Sequence, residues 1–174
     1  EGWFTQPELA GGGALIDMGV HAIDTVRYLL GDPEPVRVFA RLGTRFGDYQ
    51  VDDDGILLIE WSTGTTSLIE SGWWHPHADG VEASTQLFGT RGYGRLFPTS
   101  WSHGPEDALV SEAPAFPARD EHCDQHIYDG QVVAFAERIR DGALVIPGPE
   151  DGRIVMAICD AAYHSSKLGQ AVTL

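Results

Sequence analysis

Lysine is almost absent. Of the 11 basic residues only Lys167 is a lysine, so amine-based covalent chemistry has a single place to occur. Clusters of basic residues are missing too. With 26 acidic residues and a net charge of −15, the chain would repel a nucleic-acid backbone and an anionic membrane surface. No apolar run approaches the roughly 18 residues that span a bilayer, and no basic segment leads into an apolar one as in a signal peptide. Cysteine occurs twice, at Cys123 and Cys159, with no C-x-x-C, and both are expected as reduced thiols of a cytoplasmic protein. A G-x-G-x-x-G fingerprint is lacking: Gly11–Gly13 follow no predicted strand, and Gly89, Gly92 and Gly94 lie between two. No cofactor-binding residue is therefore assigned within the chain. An initial Met is also lacking, and a cut from a longer protein is the expectation.

What is present suits a soluble globular fold. The 174 residues, 43% of them apolar, are enough for one domain, 1–174, with its own core. Residues 14–30 read as a helix, with Gly31 to cap it and Pro33 to forbid continuation. At about 100° per residue, Leu15, Met18, Ala22, Val26 and Leu29 form an apolar stripe. Asp17, His21, Asp24 and Tyr28 fall on the opposite arc. Gly19 interrupts the apolar side at roughly 1 kcal/mol relative to alanine, which a close approach of helix to sheet would explain.

From Val36 to Pro98 the runs shorten and become β-branched and aromatic, divided by turns such as "STGTT" and "GTRGYG". They read as an antiparallel meander of about five strands. Ile56 to Ile59 is apolar on both sides of the pleat, so both sheet faces should be covered, one by helices and the other by a second copy of the chain. Residues 98–122 read mostly as loop, with a short strand near "DALVSEA". Helices near 123–140 and 150–168 and a last strand in "AVTL" complete the chain. The order predicts an α+β fold, a mainly antiparallel open sheet with helices packed on one face.

Asp17 and His21 stand four apart, neighbours on a helix. A carboxylate beside an imidazole orients the ring and raises its basicity, the arrangement of a proton acceptor near neutral pH. A solvated Asp–His pair is the plainer reading of the same spacing. "SGWWHPHADG" places Trp73, Trp74, His75 and His77 at a strand end, where aromatic faces and imidazoles suit a sugar or polyol. The plainer reading there is one core tryptophan and an exposed loop. His75 with His77, and His122 with His126, fall short of a metal set, and the second pair reads as a helix cap. No metal ligand is assigned.

"GGGALIDMGVHAIDTVRYLLGDPEPV" resembles the motif that opens the C-terminal domain of the Gfo/Idh/MocA oxidoreductases. "FGTRGYGRL" resembles that family's sheet hairpin, and "VVAFAERIRDGALVIPGPEDGRIVMAICDAAYHSSKLGQAVTL" its closing helix pair and strand. The resemblance covers nearly the whole chain. It implies that the D-x-x-x-H motif falls on Asp17 and His21, with His21 taking the alcohol proton and Asp17 orienting it and holding substrate hydroxyls. It implies NAD or NADP held by an N-terminal Rossmann domain, whose E-K-P lysine has no counterpart here. Trp3 falls where the family often has an aromatic residue.

These readings converge on the substrate-binding and oligomerisation domain of an NAD(P)-dependent oxidoreductase acting on a sugar, polyol or related compound. His21 and Asp17 are its expected catalytic residues, and Asp24, Trp73, Trp74, His75 and His77 its expected substrate contacts. The fragment alone is expected to be inactive, and a homo-oligomer through the sheet face is expected. Two rivals are a non-catalytic assembly or ligand-binding domain of the same fold, and a metal-dependent hydrolase or isomerase using His21 with His75 or His77.

Overall fold

The computed structural model describes residues 2–73, 83–114 and 124–174. In chain order the regular elements are α1 (Pro7–Ala10), α2 (Val20–Leu29), β1 (Pro35–Gly43), β2 (Asp54–Trp61), β3 (Thr66–Gly72), β4 (Thr85–Gly89), β5 (Gly92–Leu96), β6 (Ser100–His103), β7 (Val110–Glu112), α3 (Gln125–Arg140), α4 (Pro149–Leu168) and β8 (Val172–Thr173). A 3₁₀ turn, Trp3–Thr5, precedes α1, and a π-helical turn, Leu15–Gly19, runs directly into α2. The chain gathers into two compact units, Glu1–Ala78 with Pro147–Leu174, and Asp79–Ile146.

The first unit is built on a four-stranded antiparallel sheet in the order β3-β2-β1-β8. Strict alternation along β2 decides its two faces. Leu57, Ile59 and Trp61 point into the core, while Ile56 and Leu58 remain 44% and 38% exposed. Helices α2 and α4 cover the inner face, and their Ile23, Ile154 and Ile158 pack with Val38, Leu57 and Ile69 of the sheet. Pro149 opens α4, the Asp151 carboxylate accepts the Gly148 N–H at 2.8 Å, and Gly169 ends the helix at φ 70°. Buried Arg27 ties the two helices together by donating to Asp151 at 2.7 Å and to Asp32 at 3.2 Å. Cys159 is fully buried among these residues, and burial pushes its thiol up to about 12.

The second unit holds a four-stranded antiparallel sheet in the order β4-β5-β6-β7, and helix α3. The "GTRGYG" turn joins β4 to β5 as a hairpin, with Gly89 opposite Gly92. Asp124 caps α3, its carboxylate accepting from the His126 N–H at 3.0 Å.

The α+β class agrees with the sequence reading, but two details differ. The strands after Val36 divide between two sheets instead of forming one five-stranded meander. The segment read as mostly loop supplies β6 as well as the short strand β7. Turn residues mark where strands end, but not which partner each takes. The apolar stripe also differs. Leu15, Gly19, Ile23 and Arg27 line the buried side of the helix, whereas Met18 is 42% exposed. The π-helical turn is the cause: its wider winding rotates every later residue away from the regular 3.6-residue phase. Gly19 meets the close approach expected of it. A Cβ there would stand 3.1 Å from Ser71 Oγ on β3 and 2.7 Å from Leu15 Cδ1. Among the described residues no helix is long and apolar enough to cross a membrane.

Candidate active site

The glycine run is locked to the sheet by a buried carboxylate. Asp52 Oδ1 accepts the Gly13 N–H at 2.8 Å, Oδ2 accepts the Leu15 N–H at 2.8 Å, and the Asp52 carbonyl accepts the Ala14 N–H at 2.7 Å. Tyr163 of α4 donates its hydroxyl to Oδ1 at 2.7 Å, and burial with this bond pushes the phenol pKa well up. Gly13 leaves no room for a side chain, since a Cβ would stand 1.8 Å from the Asp52 carbonyl oxygen. The amides at the helix start, which elsewhere cradle phosphate, are thus already filled by protein oxygen. The start of this helix does not fit a nucleotide pyrophosphate.

Asp17 follows on the π-helical turn, half-buried. Its Oδ2 accepts the indole N–H of Trp73 at 2.8 Å, and Oδ1 has no hydrogen-bond partner among the described residues. Trp73 sits just past β3, its own N–H donating to the Asp53 carbonyl at 3.0 Å. Tyr49 meets the Trp73 ring edge-on at 6.1 Å, and Phe4 meets it at 6.3 Å.

Asp53 is the second organiser. Its carboxylate accepts from the amides of Arg45, Phe46 and Gly47 and from the Tyr49 hydroxyl, at 2.7 to 3.1 Å. Burial pushes this carboxyl up, but the three amides and the phenol together hold it below the usual carboxylate range. Asp54 pairs with Arg45 at 2.5 Å.

Phe4, Thr5, Asp17, Tyr49 and Trp73 line an open recess of about 360 Å³. Phe4 and Asp17 also line a recess of about 210 Å³, walled by Trp3 and Ile16. Of the residues expected from sequence, the structure therefore brings Asp17 and Trp73 together and places Trp3 beside them. His21 is exposed on the next turn. It lines neither recess, and among the described residues no hydrogen bond joins it to Asp17. Asp24 lies elsewhere on the helix, where burial and the Asp151 charge raise its carboxyl pKa and Arg27 opposes them. Trp74, His75, His77, His122 and Cys123 lie outside the described residues. His126 serves the α3 cap, its ring also meeting the Asp124 carboxylate. Among the described residues no three His, Cys, Asp or Glu side chains gather as metal ligands.

Sequence reading passed over Phe4, Tyr49, Asp52, Asp53 and Tyr163. The available signal was "VDDD", three carboxylates running straight into a buried strand, which must find donors to be buried at all.

Comparison with known proteins gives the family. Residues 1–95 match the family described as GFO/IDH/MocA C-terminal domain. D-glucoside 3-dehydrogenase of Escherichia coli (strain K12) is 27% identical over 99% of this chain and 52% of its own length. D-xylose 1-dehydrogenase (NADP(+)) 2 of Haloferax volcanii is 29% identical over 97% of this chain and 50% of its own. A solved structure of levoglucosan dehydrogenase in complex with NADH superposes with a TM-score of 0.85 at 24% identity, over 99% of this chain and 53% of that one. The chain thus spans about half the length of the curated relatives it matches. The family match covers more than half of the chain, and the chain belongs to the Gfo/Idh/MocA C-terminal domain family.

Proposed function

We propose that this chain is the substrate-binding half of an NAD(P)-dependent oxidoreductase that acts on the CH–OH group of a sugar, polyol or related compound. The observation that carries the reading is Asp17, fixed by Trp73 in an aromatic-walled recess on the family's opening motif. The names of the similar proteins, two sugar or glucoside dehydrogenases and a levoglucosan dehydrogenase, agree with it. The glycine-run amides are filled by Asp52, so the nicotinamide cofactor is assigned to a separate N-terminal domain. When bound there it supplies the hydride acceptor or donor. The two compact units serve as one functional domain, in the cytoplasm, and the open face of the β1–β3 sheet joins copies of the chain.

In this reading Asp17 Oδ1 accepts a substrate hydroxyl, and His21 takes the alcohol proton as the carbonyl forms. His21 is exposed, which suits a base that meets its partner only when a second domain closes over the helix. Trp73 forms one wall. Trp74, His75 and His77 follow it in sequence and are assigned to the same substrate contacts. Asp24 is given a structural role, beside Arg27 and Asp151.

The test is His21→Ala in the complete gene product, assayed with NAD(P) against a panel of sugars and polyols. Turnover should fall by roughly 10²–10⁴-fold, the range for loss of a general acid–base. Unchanged turnover would overturn the role of His21. One observation favours the non-catalytic reading: His21 lines neither recess and, among the described residues, makes no hydrogen bond to Asp17. Under that reading the complete gene product would bind a ring compound yet leave NAD(P) unreduced.

A further inference from the structure

A hydroxyl on helix α4 begins a chain of hydrogen bonds that ends on Asp17. Tyr163 donates to Asp52 Oδ1 at 2.7 Å, and the same oxygen accepts the Gly13 N–H at 2.8 Å. The Gly13 N–H also reaches the Tyr163 oxygen at 3.3 Å. The Gly13 carbonyl in turn accepts the Asp17 N–H at 3.0 Å, and the Asp17 carboxylate accepts from Trp73 at 2.8 Å. Strand β3 adds a second support, Ser71 Oγ donating to the Ala14 carbonyl at 2.8 Å.

Local sequence does not supply this placement. Gly11, Gly12 and Gly13 in succession give the backbone the widest freedom a chain has. The π-helical turn that follows has Ala14 as its N-cap, with no side-chain oxygen to satisfy the first amides. Asp52 takes over that capping from another part of the chain, and Tyr163 holds Asp52. The fit is close: a Cβ on Gly12 would stand 2.2 Å from the Tyr163 hydroxyl oxygen.

We infer that Tyr163 is a positioning residue: through Asp52 and Gly13, its hydroxyl fixes where the Asp17 carboxylate stands. The inference rests on the dehydrogenase reading above for what Asp17 then does, and on the hydrogen bonds for its placement. Without the hydroxyl, Asp52 Oδ1 has one donor fewer, so the carboxylate can turn and the glycine run can shift with it. A shift of about 1 Å in a group that holds a substrate can cost about a hundredfold in rate. His21 rides on the same helix and would shift with Asp17.

The experiment uses the complete gene product carrying Tyr163→Phe, which keeps the ring and removes only the hydroxyl. One readout is the indole N–H proton resonance of Trp73, identified as the signal that Trp73→Phe removes. The other is kcat and KM with NAD(P) on a sugar or polyol that the parent protein turns over. A proton held against a carboxylate resonates downfield, so loosening Asp17 should move the Trp73 signal upfield, and kcat should fall about tenfold or more. Ile158→Val trims a buried core residue on the same helix and touches none of these hydrogen bonds. It should lower the melting temperature and leave both readouts in place. If Tyr163→Phe does not fold, Asp52→Asn, which weakens the clamp from its other end and keeps one acceptor oxygen, is read in its place with the same expected result. An unmoved Trp73 signal, whatever happens to kcat, would overturn the inference and leave Tyr163 a structural contact. An equal shift in Ile158→Val would also overturn it. A moved signal with unchanged kcat would keep the placement and overturn the part of Asp17 in the reaction. A parent protein that turns over no sugar or polyol would overturn the dehydrogenase reading, and the Trp73 signal would still decide the placement.

Discussion

Trp73 donates its indole N–H to Asp17 across 56 positions of sequence, at 2.8 Å. The bond joins the end of a strand to the π-helical turn, and it decides which way the Asp17 carboxylate faces. A helix turn alone would leave that side chain several rotamers; one oxygen held by Trp73 directs the other into the recess. The recess is therefore set by a long-range contact laid over the local helical pattern.

Trp73→Phe tests this. The ring volume is largely kept, so the aromatic wall remains, but the donor is lost. A hydrogen bond to a charged acceptor is worth about 1.5–3 kcal/mol when buried and less at a half-buried site. Stability should fall by about 1 kcal/mol, read from denaturant unfolding. In the complete gene product KM for a sugar alcohol should rise more than kcat falls, because Asp17 is loosened and not removed. An unchanged KM would show that Asp17 is aimed by something other than Trp73.

The contrast between Asp17 and Asp52 shows what the sequence could and could not tell. Asp17 was visible because its spacing to His21 fits a helix, and because the surrounding letters resemble a known motif. Its true neighbour, Trp73, was singled out only for its aromatic face. For Asp52 the sequence offered only the run of carboxylates before a strand and nothing about its partners: Gly13, Leu15 and Tyr163 are 39, 37 and 111 residues away. Element type follows from local rules, so α2, α4 and the β4–β5 hairpin were legible. The phase of the first helix was not, since a π-helical turn leaves no letter of its own and moves Met18 from the expected core to the surface. Gly13 lies between these cases. It was legible only as part of a glycine run in a resembling motif, and the Asp52 carbonyl 1.8 Å from a would-be Cβ shows why alanine is excluded.

Acid should act on the recess through Asp53. Three amides and the Tyr49 hydroxyl hold its carboxyl below the ordinary value of about 3.9, outweighing the upward push of burial. A depressed carboxylate contributes stability that is fully present above the ordinary range and is lost as pH falls through the lowered folded value. The loss of stability below about pH 4 should therefore be shallower in Asp53→Asn than in the parent chain. At pH 7 the same variant should be less stable by about 3 kcal/mol, because an amide cannot accept from all four donors. Tyr49 would lose its anchor, so tryptophan emission should shift as its edge contact with Trp73 relaxes. Parallel acid limbs in the two proteins would remove Asp53 from this role.

The outer face of the first sheet carries a cross-strand row, Phe39 opposite Leu58 and Leu58 opposite Leu68, flanked by Ile56. Leu68 is 68% exposed within one chain. Apolar side chains aligned across three strands form a continuous stripe, and such a stripe on a soluble protein marks an association surface more often than isolated exposed residues do. If copies of the chain meet there, Leu68→Asp places a charge in the middle of an apolar contact, where burying it is costly. The expected outcome is loss of the oligomer by sedimentation velocity, with the far-UV circular dichroism of the folded chain retained. The substitution touches no core residue, so unfolding of the monomer itself should move by no more than about 0.5 kcal/mol. An oligomer that survives Leu68→Asp intact would place the association surface elsewhere and leave this row as exposed sheet.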